Sequence, residues 1–138
     1  MINRWTPALM ALAIVMSSQA ALADDVTGVS RMLCTPVQAT ICTVDGDCEI
    51  GLPWMWNIPQ FVEVDLSKQT LSTTKASGEN RVTPMKNLVR EDGVIFLQGV
   101  DGGRAFSFVI EEERGTLSAA VAREDATVSI FGACTPLK

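Results

Sequence analysis

The chain has 138 residues, with 16 acidic and 11 basic side chains, four cysteines, no histidine and no tyrosine. A net charge of −5 argues against nucleic acid or an anionic membrane surface as a partner. The missing histidine removes the base of a serine triad and the imidazole ligands of most zinc sites.

Residues 1–23 read MINRWTPALMALAIVMSSQAALA. Arg4, an apolar run from Ala8 to Met16, small polar residues and Ala21-Leu22-Ala23 follow the order of a secretory signal peptide. The apolar run falls short of the ~20 residues that span a bilayer. Cleavage is expected after Ala23, leaving a single β domain over 24–138, periplasmic or secreted, with no membrane span. Loss of Arg4 would leave ten basic and sixteen acidic residues, net −6.

All four cysteines, Cys34, Cys42, Cys48 and Cys134, follow the expected cleavage point. Export to an oxidising compartment and an even count predict two disulfides. Three connectivities are open. The pairing Cys42–Cys48 with Cys34–Cys134 is preferred, because CTVDGDC can fold back through Asp45-Gly46. The five-residue spacing does not suit a Cys-x-x-Cys redox motif. Asp45, Asp47 and Glu49 could offer oxygens to calcium, but an EF-hand needs a twelve-residue loop between helices. No cofactor or metal is expected.

Further along, LPWMWNIP (52–59) carries Trp54 and Trp56 two positions apart. A strand would point both to one side. Tryptophan anchors binding hot spots when exposed and plugs small barrels when buried, so both are candidate binding residues. FVEVDLS (61–67) alternates Val62, Val64 and Leu66 with Glu63 and Asp65, which predicts a half-buried strand. SKQT is a predicted turn, and KASGEN (75–80) is a predicted loop. Two apolar runs around Asp92-Gly93 predict a hairpin. DGGR (101–104) makes the next turn. AFSFVIE then places Phe106, Phe108 and Ile110 on one face, and TLSAAVA does the same with Leu117, Ala119 and Val121. Glu111-Glu112-Glu113, at a predicted turn, reads as a solvated charge run. TVSIFGACT closes the chain.

Strand and turn alternate from Phe61 onward, and no segment has a helical period. The predicted fold is all-β: a small antiparallel meander closed into a barrel of six to eight strands, stapled by disulfides. A two-sheet sandwich is the alternative. No catalytic constellation stands out. A glycosidase-like pair of carboxylates is formally available among sixteen acids, but nothing in the sequence selects one.

The pattern Cys34-x7-Cys42-x5-Cys48, a β meander and the FGACT ending (residues 131–135) resemble a group of small uncharacterised exported proteins of proteobacteria. That resemblance implies an exported, disulfide-bonded β fold. A second resemblance is to periplasmic inhibitors of c-type lysozyme, small barrels with a Ser-Gly-x-x-Tyr loop. Ser77 and Gly78 match its first two positions, while Arg81 stands at the tyrosine position. The expectation is therefore a non-catalytic exported β-barrel binding module for a protein or cell-envelope ligand. A c-type lysozyme inhibitor is the alternative, and a carboxylate-dependent hydrolase is the third reading. Trp54, Trp56, Ser77 and Gly78 are the candidate contact residues.

Overall fold

A computed structural model describes residues 23–77 and 80–138. Residues 1–22 of the expected leader, and Gly78 of the expected loop, lie outside the described residues.

Among the described residues ten strands follow one another: β1 (Arg31–Thr43), β2 (Cys48–Gly51), β3 (Val62–Asp65), β4 (Thr70–Thr73), β5 (Val82–Pro84), β6 (Asn87–Glu91), β7 (Val94–Asp101), β8 (Arg104–Glu111), β9 (Thr116–Ala122) and β10 (Ala126–Pro136). All their pairings are antiparallel, in the spatial order β5-β4-β3-β1-β10-β9-β8-β7-β6, with β2 lying beside β1. The fold is therefore the expected all-β meander, formed by one curled sheet rather than two stacked ones. It has more than the six to eight strands expected. The extra ones are short: β2, β3, β4 and β5 hold three or four residues each, too few for a clear alternation pattern.

β1 is the spine. Its whole length pairs with β10. Along its other edge the first half pairs with β3 and the second half with β2. The change of partner coincides with a register shift between Pro36 and Gln38, where proline cannot donate to a ladder. The sheet's two edge strands, β5 and β6, are consecutive in the chain. Between them Met85 N–H donates to Gln69 O (2.8 Å) on one side, and Lys86 N–H donates to Gln98 O (2.8 Å) on the other. One stretch of backbone thus draws both edges of the half-barrel together, and Pro84 sits on an edge that it can occupy.

Both disulfides join residues directly opposite each other in the ladders of β1. Cys34 pairs with Cys134 of β10, and Cys42 pairs with Cys48 of β2. The preferred connectivity is the observed one, and no cysteine is free. Such bonds are typical of proteins that mature in an oxidising, extracytoplasmic setting.

The concave face carries the alternating residues that the sequence predicted: Phe106, Phe108 and Ile110 from β8, and Leu117, Ala119 and Val121 from β9. One end of the half-barrel is filled. Val26, Met32, Val64, Ile95, Leu97 and Ile110 are fully buried there, around the Cys34–Cys134 bond. The segment before β1 plugs that end, with Val26 N–H donating to Glu112 O (2.8 Å).

Two expectations need correction. Asp65 is buried rather than solvated, because its carboxylate turns back to accept hydrogen bonds from the Ser67 hydroxyl (2.6 Å) and the Lys68 N–H (2.9 Å). Glu112 is buried as well, because Arg90 reaches over from β6 to pair with it. A run of three acids hid one structural carboxylate between two outward ones.

Candidate functional site

The other end of the half-barrel is open. A cavity of about 460 Å³ lies there against the concave face. Phe106, Phe108, Val121, Val128 and Ile130 form its sheet wall, and Ile41, Val62 and Leu71 face it from the other side. The strands that fill the core at one end thus leave room at the other. On β8, Ile110 belongs to the core, Phe108 to both core and cavity, and Phe106 to the cavity. Gly99, opposite Phe106 on β7, makes this wall fit. A Cβ there would fall 2.4 Å from the Phe106 ring, so the ring lies over bare backbone.

The segment between β2 and β3 borders the opening. Residues Pro53–Trp56 form a 3-10 turn, closed by Asn57 in the left-handed region (φ 55°). Because this is a turn and not a strand, the two tryptophans separate. Trp54 is 70% exposed, whereas Trp56 packs against the core and lines the cavity. Leu52, Trp54 and Met55 form an apolar projection beside the opening.

The rim is polar. Arg81, Asp101, Arg104 and Arg123 line the cavity. Arg81 Nε lies 3.5 Å from Asp101 Oδ2, which also accepts a hydrogen bond from the Thr83 hydroxyl (2.9 Å). Arg123 Nε lies 2.8 Å from Asp125 Oδ1. Arg104 is half-buried and has no ion-pair partner among the described residues. Three guanidinium groups against two carboxylates, Asp101 and Asp125, leave the rim with an excess of one positive charge on an acidic chain.

Of the expected contact residues that the structure describes, Trp54, Trp56 and Ser77, only Trp56 enters this site. The Ser77 hydroxyl is occupied by backbone: it accepts from Phe61 N–H (3.0 Å) and donates to Phe61 O (3.2 Å). It therefore ties down its loop rather than presenting a group outward. Asp45, Asp47 and Glu49 are exposed on the β1–β2 hairpin, and no cluster of metal-ligating side chains occurs among the described residues.

The carboxylates held below their usual pKa range lie outside the cavity. The Arg90 hydrogen bond does this for Glu112, the Ser67 hydroxyl for Asp65, the Arg114 hydrogen bond for Glu111 and the Thr27 hydroxyl for Asp25. Asp101 is the only carboxylate on the cavity wall among the described residues, so a facing pair of acids for glycoside chemistry is not assembled there.

The sequence offers Arg104 as a possible polar contact but more readily as a solubility charge, and the rim as a whole escapes a residue-by-residue reading, although a signal is present. Each inward-facing series ends in a charged residue: Ile95, Leu97, Gly99, Asp101 on β7; Ile110, Phe108, Phe106, Arg104 on β8; Leu117, Ala119, Val121, Arg123 running out of β9. Continuing the period of two by one step beyond the last apolar residue leads to the mouth.

No protein-family model, no curated protein and no solved structure matches the chain. No helix among the described residues is long and apolar enough to cross a membrane.

Proposed function

We propose that this chain is an exported, non-catalytic binding module that receives a cell-envelope component in the open end of its half-barrel. The observation that carries the reading is the cavity itself. Its walls are apolar, the core closes it at one end, and a few polar groups gather at its rim. That is the usual form of a small-molecule site, and about 460 Å³ falls within the ~300–1,000 Å³ such sites occupy. A periplasmic or secreted location fits the leader-like residues 1–23 and the two disulfides. The resemblance in cysteine pattern to small exported proteobacterial proteins supports the same location. Catalysis has less support, because Asp101 on the wall is already engaged by Arg81 and Thr83.

The test is to purify the protein from the cell envelope and identify by mass spectrometry what remains bound. Ala119→Phe places a ring in the cavity from the middle of β9, and Val128→Phe does so nearer the mouth. Both folded variants should carry away less of the bound component than the parent. Undiminished retention by both would remove the cavity as the binding site.

A further inference from the structure

We infer that the component received in the cavity is a single-chain amphipath with an anionic head, a fatty carboxylate, whose carboxylate pairs with Arg104. This rests on the proposed binding reading and names its ligand.

The tail is argued from the walls. Trp56, Phe106, Phe108, Val121, Val128 and Ile130 line the cavity. None of these side chains has a charge or a strong hydrogen-bonding group to satisfy a polar ligand, apart from the indole N–H of Trp56. An alkyl chain is the matching occupant, since its gain is the removal of apolar surface from water. A volume in the lower half of the range for small-molecule sites suits one chain better than two.

The head is argued from the rim. Two of its three arginines already have carboxylates, Arg81 with Asp101 and Arg123 with Asp125. Arg104 has none among the described residues, yet it is half-buried at the point where the inward series of β8 reaches solvent. A guanidinium in that position holds five donors in a fixed fork, a geometry that fits a carboxylate through two parallel bonds. The hairpin fixes its place: Arg104 is paired in register with Asp101 across the Gly102-Gly103 turn. A ligand with its tail along Phe108 and Phe106 would bring its head to the next residue in that series. The chain carries net charge −5, so the sign of this spot is opposite to that of the molecule as a whole.

The experiment uses the purified protein with Trp5→Phe and Trp54→Phe, so that Trp56 is the one remaining indole and reports on the cavity. The probe is 2-bromododecanoate, whose bromine sits next to the head, at the mouth beside Trp56, and quenches an indole in contact with it. Dodecanoate, dodecan-1-ol and dodecyltrimethylammonium then compete with the probe. Dodecanoate should compete at least about tenfold better than dodecan-1-ol at low ionic strength, and the cation should compete worst. Arg104→Gln should remove most of that preference and leave dodecan-1-ol binding unchanged. Arg114→Gln makes the same change in net charge at the closed end and should leave the preference intact. Equal affinity for acid and alcohol, or a preference that survives Arg104→Gln, would overturn the carboxylate assignment. If no amphiphile binds while Ala119→Phe still abolishes retention of the envelope component, the ligand assignment falls and the binding reading stands. If both Ala119→Phe and Val128→Phe retain that component undiminished, the binding reading falls instead.

Discussion

Arg90, at the edge of the sheet, reaches the buried carboxylate of Glu112, its Nε donating to Oε1 across 2.8 Å. The same oxygen accepts a second Arg90 hydrogen bond and one from Gly28 N–H (3.4 Å). The main chain of Glu112 holds Val26 and Gly93. One residue therefore fastens the N-terminal plug and the β6–β7 hairpin to the closed end. The two partners are not equivalent, because the Glu112 side chain is only 6% exposed and that of Arg90 is 37% exposed. Arg90→Ala strands a buried charge and should cost about 2–4 kcal/mol, whereas Glu112→Gln keeps an acceptor in place and should cost about 1 kcal/mol. Urea unfolding of the two variants measures the difference, and the reverse ranking would contradict this account.

The same pair sets a dependence on pH. Arg90 holds Glu112 below its ordinary value of 4.5, and the Ser67 hydroxyl holds Asp65 below its ordinary 3.8. A carboxylate with a lowered pKa in the folded state binds fewer protons there than in the unfolded chain. Its contribution is present above the ordinary value and is lost as pH falls through the lowered one. Urea midpoints should be level above about pH 5 and should decline below 4.5. The decline should be shallower in Glu112→Gln, because one of the titrating groups is gone.

The two cross-strand disulfides should differ in value. The Cys34–Cys134 bond spans 100 residues and the Cys42–Cys48 bond spans six. Loop-closure entropy assigns about 4.7 kcal/mol to the long loop and about 2 kcal/mol to the short one. Replacing Cys34 and Cys134 with alanine should lower stability clearly more than replacing Cys42 and Cys48. The first change also opens a hole in the filled end of the half-barrel, since both its residues are fully buried. Thermal unfolding of the two double variants under matched conditions reads the ranking.

Much of the fold was legible because its long strands obey a strict period of two. Phe106, Phe108 and Ile110, and likewise Leu117, Ala119 and Val121, announce both the strand and its inward face. Asp92-Gly93 announces a hairpin, and both residues have positive φ. Short strands such as β4 and β5 carry too few residues for a period to emerge. Trp54 and Trp56 were illegible for a related reason: a 3-10 turn rotates neighbours by a third of a circle, so a spacing of two no longer means a shared side. The cavity was hidden because its walls and the core use the same residue types. Only depth along the half-barrel separates Phe106 from Ile110. The buried state of Glu112 depended on Arg90, 22 residues away in sequence, which local reading does not reach.

Gly115 marks a place where shape rather than chemistry decides. Its φ is +62°, and a Cβ would fall 2.2 Å from Asp24 O and 2.6 Å from Cys134 O. Gly93 also has positive φ, at +75°, but a Cβ there would meet open space. Alanine at Gly93 should cost about 1–2 kcal/mol, the left-handed penalty alone. At Gly115 the backbone of two other segments must also move, so the loss should clearly exceed that. Chemical denaturation of both variants tests the comparison, and similar losses would show that the segments around Asp24 and Cys134 yield easily.

Asp101 offers the most direct check on the sign of the rim. It neutralises Arg81 at 3.5 Å and accepts from Thr83, so of the three rim arginines Arg104 alone has no counter-charge among the described residues. Asp101→Asn keeps an acceptor for Thr83 and removes the charge. The pair is partly exposed, so the structural cost should stay within about 1 kcal/mol. Two guanidinium groups would then face the mouth. An anionic head should bind roughly two- to fivefold more tightly, with the gain shrinking as salt is added. A neutral alcohol of the same chain length should not change. Displacement of 2-bromododecanoate at two salt concentrations separates the outcomes. Weaker binding of the acid in Asp101→Asn would mean that Asp101 accepts a hydrogen bond from the bound molecule. The head would then be a donor, and a carboxylate paired with Arg104 would be the wrong assignment.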